Sequence, residues 1–406
     1  MQVIERPHYI QFLNEFKDVT DTVKVLTGIR RAGKTFLMNM FIDQLKESGI
    51  SDDQIVHINF EDFKFNSINN AQALYDYVHQ HVNSAKRNYL FLDEIQHVED
   101  WERAINSFRV DMDADIYITG SNSQLLSSEL ATLLTGRYVE LKVYPLSFRE
   151  FYDFKNGNGA NAFQLFREYM MDGGFPAVDL SSSDNIKTAL KNGIFDSIIL
   201  TDIALRSNTR NDAAILAIAN YMMSEVGNTL SATKIAHTLK SNGQDITVTT
   251  VTHYLRLLEQ SFLFYKARRY DLRGKKWLSS QSKYYVADMG LRNTRLHRTP
   301  SDNLGHQIEN IVYIELLRRG YTVDVGKLDD KEIDFVARKG EKIEYYQITQ
   351  QLPENSKRET QNLLKLRDGY QKTVLTLNQF ETGNVDGVNV EYVIDWLLQV
   401  PTAINI

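Results

Sequence analysis

Up to about residue 150, short apolar runs alternate with amphipathic stretches. Residues 23–27, 55–60, 89–92, 116–119 and 138–143 are short, mostly apolar runs that read as buried strands. Residues 35–45 and 71–82 instead repeat their apolar positions at helical spacing. Strands alternating with helices predict an α/β architecture, a parallel sheet between helices. Residues 162–225 are mostly helical in pattern, strands and helices mix again after residue 229, and the last hundred residues read as a second, smaller α/β unit. Gly-, Ser- and Asn-rich stretches at 155–161, 181–185 and 207–212, with a break near 299–302, read as the connections.

The 406 residues exceed one ordinary domain. The absence of cysteine excludes disulfides, thiolate zinc sites and a cysteine nucleophile. No apolar run is long enough to span a membrane, and the charged N-terminus does not read as a signal peptide, so a cytoplasmic location is expected. The net charge of −6 gives no overall attraction to nucleic acid, but it is unevenly spread. Residues 228–298 carry 13 Lys/Arg against 4 Asp/Glu, a local balance of +9 in a chain otherwise at −15. That segment is where a polyanionic partner is to be sought.

The strand at 23–27 runs into Gly28-Ile29-Arg30-Arg31-Ala32-Gly33-Lys34-Thr35, which fits G-x-x-x-x-G-K-[ST] throughout, and Phe36 opens a helix. Glycines at the two ends let backbone amides turn inward around phosphates, and the helix start adds its dipole. Lys34 is then expected to reach the terminal phosphates of ATP, and Thr35 to ligate Mg2+. The strand before Asp93-Glu94 delivers two carboxylates at its C-terminal end, where open α/β sheets bind ligands. Asp93 is expected to hold the magnesium, and Glu94 to orient and deprotonate the attacking water. Ser121 and Asn122, after the strand at 116–119, either sense the γ-phosphate or form a polar turn. Arg137 either reaches a neighbouring subunit's γ-phosphate or forms a surface ion pair.

These motifs, together with Ile118-Thr-Gly-Ser-Asn-Ser, Tyr144-Pro-Leu-Ser-Phe-Arg-Glu-Phe, Gly173-Gly-Phe-Pro and Tyr284-Tyr-Val-Ala-Asp-Met-Gly-Leu, resemble a family of AAA-like ATPases of bacteria and archaea. The resemblance covers essentially the whole chain. It implies a P-loop NTPase core at 1–150, a helical lid at 151–208, a winged helix at 209–298 and a degenerate restriction-endonuclease-like α/β domain at 299–406. It also makes Arg137 the family's finger; the partner expected is either a second copy of the chain, in a homo-oligomer with Arg137 acting in trans, or another protein.

Within the basic segment, 230–239 and 249–261 read as two helices at helix-turn-helix spacing, the second with Val251, Tyr254, Leu255 and Leu258 on one face. Two strands would follow as a wing, carrying Arg268, Arg269, Arg273, Lys275 and Lys276. One reading places residues 249–276 on double-stranded DNA, with Thr249, Thr250 and His253 at a groove, and singles out Trp277 for base stacking. The other makes the segment a packing module or the docking surface for a protein partner.

In the last domain, Glu309 and Asp334 stand at the nuclease positions the resemblance implies, but the acidic-x-lysine element reads Gln347-Ile348-Thr349. A neutral amide is a poor magnesium ligand and a threonine cannot replace an ammonium, so nuclease activity is not expected. Glu344, at an odd offset from Gln347 along the strand, is expected on the opposite face.

Overall fold

The computed structural model describes residues 4–126, 134, 136–155, 161–205, 212–352 and 358–399. Of the expected connections at 155–161 and 207–212, residues 156–160 and 207–211, and with them the boundary at 208, lie outside the described residues. Two compact units result, Glu5–Tyr144 with Gln260–Phe262, and a larger one built mainly from Pro145–Glu259 and Leu263–Ile406.

In the first unit, β1 (Val23–Thr27), β2 (Ile55–Asn59), β3 (Asn88–Asp93), β4 (Ala114–Gly120) and β5 (Tyr138–Lys142) form a sheet in the order β2-β3-β4-β1-β5. Every pairing is parallel. Helices α1 (Pro7–Glu15), α2 (Lys34–Glu47), α3 (Ala71–His81) and α4 (Trp101–Asp111) accompany it. All residues of β1, β3 and β4 are buried, which is why these strands read as mostly apolar, with the buried Lys24 and Asp115 paired to one another. Leu74, Val78, Trp101, Ile105 and Phe108 from α3 and α4 join Ile58, Leu90, Leu92, Ile116 and Ile118 in one core. Because β4 lies between β3 and β1, the C-terminal ends of those three strands are neighbours, and that placement gathers the candidate residues.

The second unit opens with helices α5 (Phe148–Lys155), α6 (Ala162–Asp172), α7 (Pro176–Asp179), α8 (Asp184–Ser197) and α9 (Asp212–Ser224). Then come β6 (Thr229–Leu230), α10 (Ala232–Ser241), α11 (Val248–Gln260), β7 (Phe264–Asp271), β8 (Lys276–Val286), α12 (Met289–Leu296) and α13 (Leu304–Arg318). Ser231 caps α10 by accepting the Lys234 amide at 3.1 Å, and α11 buries Val251, Tyr254, Leu255 and Leu258. The remaining elements are β9 (Thr322–Leu328), β10 (Lys331–Lys339), β11 (Lys342–Thr349), α14 (Arg358–Leu364), β12 (Gln371–Thr376), β13 (Gly383–Val385), β14 (Val388–Tyr392) and α15 (Val393–Leu398). β7 and β8 pair antiparallel, as a wing would, yet β7 also pairs with β9. One nine-stranded sheet, β13-β14-β12-β11-β10-β9-β7-β8-β6, therefore runs unbroken past residue 299.

Two motifs far apart in sequence meet here. Asp288 accepts the amides of Leu291 (2.9 Å), capping α12, and of Gly174 (2.7 Å). A Cβ on Gly173 would stand 2.1 Å from the Asp288 carboxylate, and one on Gly174 would stand 2.4 Å from the Leu146 carbonyl. That close approach is why two consecutive glycines occupy the turn.

Candidate functional site

The loop leaving β1 turns on conformations ordinary residues avoid. Gly28 (φ +145°) lies so close to the chain after β5 that a Cβ would stand 2.0 Å from the Val143 carbonyl oxygen. Arg31 and Gly33 are left-handed, at φ +69° and +101°, and α2 starts directly afterwards. Ile29 and Ala32 are buried and anchor the loop, whereas Arg31 and Phe36 are exposed. Arg30 pairs with Glu61 at 2.5 Å. Lys34 is buried, donating to the carbonyls of Gly28 (3.0 Å) and Ile29 (3.4 Å), and its ammonium lies 3.6 Å from Glu94 Oε1.

Opposite the loop, Asp93 is fully buried. It accepts hydroxyl bonds from Thr35 (2.7 Å) and from Thr119 at the end of β4. Burial raises its pKa, and these two hydroxyls oppose the shift. Thr119 Oγ1 also accepts the Glu94 amide at 2.9 Å, which fixes the left-handed turn (φ +55°) that aims Glu94. Gln96 donates to Glu94 Oε2. Ser121 and Asn122 are buried beside this turn, and the Ser121 hydroxyl finds no partner among the described residues.

The donor set fits a triphosphate with magnesium. A loop turned by glycines at both ends, a lysine and a helix start face an Asp–Thr pair of oxygen ligands, and the Ser121 hydroxyl is buried without a partner among the described residues. Residues 28–36, 93–94 and 121–122 thus come together, as their strands' order requires.

Arg137 is not among them. Its carbonyl accepts the Val23 amide (3.0 Å) at the start of β1, and its exposed guanidinium lies 3.9 Å from Asp21. The length of β1, about 3.3 Å per residue, separates it from the loop.

Thr119 and Gln96 escaped the sequence reading because nothing in their spacing marks them. The strand end at Thr119-Gly120 was the one available signal. A Cβ on Gly120 would stand 2.7 Å from Gln96 Oε1, so the glycine makes room for that side chain.

In the second unit, the Lys283 ammonium lies 2.9 Å from Glu309 Oε1 and 2.8 Å from Glu332 Oε1. Tyr285 donates to the same Glu309 oxygen at 2.6 Å. Burial alone would lower the Lys283 pKa, but the carboxylates of Glu309, Asp334 and Glu332 outweigh it and raise it. Asp334 accepts the Ile348 amide (2.8 Å), and burial, helped by Glu309, pushes its pKa up. Gln347 Oε1 accepts the Asp334 amide at 3.4 Å, while Thr349 turns to the Gln351 carbonyl. Glu344 is held by Lys342 at 2.9 Å. Lys283 and Tyr285 are two residues apart on β8 and so project from one face of that strand toward Glu309.

On the β7–β8 hairpin, Arg268 stacks 4.6 Å over the half-exposed Trp277 and lies 3.6 Å from Asp324. The Trp277 indole donates to Asp324 (3.0 Å), and Arg273 pairs with Asp329 (2.7 Å). Arg269 Nε is buried without a partner among the described residues, and Lys275 and Lys276 are exposed. Thr249 is exposed, whereas Thr250 and His253 are half-buried. No helix of the described residues is long and apolar enough to cross a membrane.

The AAA domain family profile matches residues 20–152, and that of a domain of unknown function (DUF8612) matches residues 163–302. An uncharacterized protein of Haemophilus influenzae is 44% identical over 400 residues, covering 98% of this chain and 99% of the relative. Another, from Methanocaldococcus jannaschii, is 32% identical over 356 residues, covering 84% of this chain and 78% of the relative. The fold is shared with the Walker-type ATPase PABY2304 of Pyrococcus abyssi, at a TM-score of 0.53 and 14% identity over 72% of this chain and 95% of that one. With near full-length relatives in a bacterium and an archaeon, and the AAA profile lying over the phosphate loop and its acidic strand end, this chain belongs to the AAA-like P-loop ATPases that carry a C-terminal domain of unknown function.

Proposed function

We propose that this chain binds and hydrolyses ATP in its first unit and passes the nucleotide state to its C-terminal half. The observation that carries this reading is the 2.7 Å bond from Thr35 to Asp93, with Lys34 and Glu94 beside it at one end of the sheet. The amides of residues 28–35 and the Lys34 ammonium would bind the phosphates. Thr35 and Asp93 are the residues that would hold magnesium, which when bound neutralises charge on the transferred phosphoryl group. Glu94 would take the proton from the attacking water, with Ser121 and Asn122 near the γ-phosphate. Arg137, at the far end of β1 from its own loop, would serve a second copy of the chain by placing positive charge on that copy's transferred phosphoryl group.

For the output we favour DNA contact through residues 249–276, supported by the +9 balance of the segment and by exposed Lys275 and Lys276. The alternative is a switch whose C-terminal half binds a protein. It is favoured by the pairing of Arg268 and Arg273 with Asp324 and Asp329, which neutralises part of that charge. In both readings the nuclease-like domain acts without hydrolysing, because Gln347 and Thr349 stand where a magnesium-binding carboxylate and a lysine would be needed. The test is the ATP hydrolysis rate with and without double-stranded DNA, with Glu94→Gln as the blank. Stimulation by DNA supports the first output, and a rate that ignores DNA supports the second. Hydrolysis no faster than the blank would sink the ATPase reading.

A further inference from the structure

A charged side chain that none of the phosphate-loop chemistry calls for is buried behind the loop. Arg6, just ahead of α1, is 2% exposed. Its Nη1 donates to the Ala32 carbonyl at 3.0 Å and its Nη2 to the Tyr144 carbonyl at 2.9 Å. The guanidinium lies 4.4 Å over the Tyr9 ring, and the Tyr9 hydroxyl accepts the Tyr144 amide at 3.1 Å. Gly28 packs against the same stretch of chain, at Val143, so residues 143–144 form the back of the loop and Arg6 ties Ala32 to it.

The consequence follows from peptide geometry. The Ala32–Gly33 peptide is trans and planar, so its carbonyl and its N–H point in opposite directions. A guanidinium that holds the Ala32 oxygen toward the back of the loop therefore turns the Gly33 N–H toward the front. Gly33, left-handed at φ +101°, is the residue whose peptide is otherwise easiest to rotate. An anion approaching the loop then meets an amide already aimed, and its binding carries no cost of turning that peptide. The positive charge behind the carbonyl adds a favourable field on phosphate.

We propose that Arg6 is a positioning residue for phosphate binding, fixing the Ala32–Gly33 peptide so that the Gly33 amide faces the nucleotide. This rests on the reading of residues 28–35 as the phosphate loop. The test uses the full chain and a fluorescent ATP analogue with magnesium, titrated to give both Kd and sites per chain. Arg6→Met removes both donors, Arg6→Lys keeps the charge with a single donor group, and Tyr9→Phe loosens the Tyr144 segment without touching Ala32. Arg6→Met should weaken Kd about tenfold or more, the loss typical of a charge-assisted hydrogen bond, at one site per chain. Arg6→Lys should fall between it and wild type, and Tyr9→Phe should keep the wild-type Kd. If Arg6→Met reduces sites per chain and the remainder bind with wild-type Kd, Arg6 serves folding only and the proposal fails. Should Arg6→Met not fold, Arg6→Lys decides, and a wild-type Kd there overturns the proposal. Lys34→Ala separates the two levels. Wild-type binding by Lys34→Ala sinks the loop reading and this inference together. Lost binding there, with both Arg6 variants at wild-type affinity, sinks this inference alone.

Discussion

The Lys34 ammonium lies 3.6 Å from the Glu94 carboxylate, so the two residues proposed to bind phosphate and to activate water are in direct electrostatic contact. The two roles part on mutation. Lys34→Ala should abolish nucleotide binding, whereas Glu94→Gln should bind with near wild-type affinity and lose turnover by about a hundredfold or more. Equilibrium titration and steady-state hydrolysis on both variants check this. Wild-type turnover in Glu94→Gln would remove Glu94 as the base.

Thr119 holds both acidic residues with one hydroxyl, donating to Asp93 and accepting from the Glu94 amide. Thr119→Val keeps the shape and removes both bonds. Turnover should fall about tenfold, the magnesium concentration for half-maximal rate should rise, and stability should drop by about 1–3 kcal/mol. A magnesium titration of the rate, with a denaturant melt, measures all three. An unchanged magnesium dependence would leave Thr119 a packing residue.

Arg137 and Glu94 lie at opposite ends of the same parallel sheet. If Arg137 acts on a second copy, Arg137→Ala and Glu94→Gln should each be nearly inactive alone and regain a measurable fraction of the wild-type rate when mixed. The mixture is assayed over a range of protein concentration. No recovery at any ratio, in protein shown to associate, argues for Arg137 as a surface residue paired with Asp21.

Lys275 and Lys276 are exposed on the hairpin whose arginines face Asp324 and Asp329. Replacing Arg268, Arg269 and Lys275 with Ala should abolish a salt-dependent DNA mobility shift if the segment contacts phosphates, with a shallower salt slope in any residual binding. A shift that survives the triple replacement would move the DNA contact elsewhere on the chain.

Asp288 is fully buried, and burial pushes its pKa up to about 6 despite the amides of Gly174, Leu291 and Gly290 and the nearby Lys191. Asp179, also buried with its pKa raised, faces it as a second acid. An acid whose folded pKa lies above its unfolded value contributes stability that is full below the unfolded pKa and is lost as pH rises through the folded one. The Asp288 contribution should therefore fade between about pH 4 and pH 6–7. In Asp288→Asn the difference in stability from wild type should vary across that window and level off above it. Chemical denaturation at stepped pH reads this, and a difference curve flat from pH 4 to 7 would contradict it.

Much of the first unit was legible from local pattern. The five runs are the five strands to within a residue or two, because β1, β3 and β4 at the centre of the sheet are buried on both faces and so are mostly apolar. The loop at 28–35 was equally plain, since an amide cradle constrains the glycines and the lysine within eight consecutive positions. The helix faces were legible for the same reason, and α11 buries the four residues its spacing placed together.

What lay beyond the sequence was every relationship made across strands. Its order put Asp93 near Lys34 only through an assumed sheet, and it gave no hint that Thr119 would bridge two carboxylates or that Arg6 would reach Ala32. Nothing in the spacing around Glu309 points to Lys283, which pairs with it from a strand earlier in the chain. The sequence alone determined which segments are strands, helices and phosphate loop, because those follow from periodicity and backbone conformation over a few residues. The tertiary structure alone decided which charges meet, because burial in a common low-dielectric interior, not nearness along the chain, requires one charge to find another.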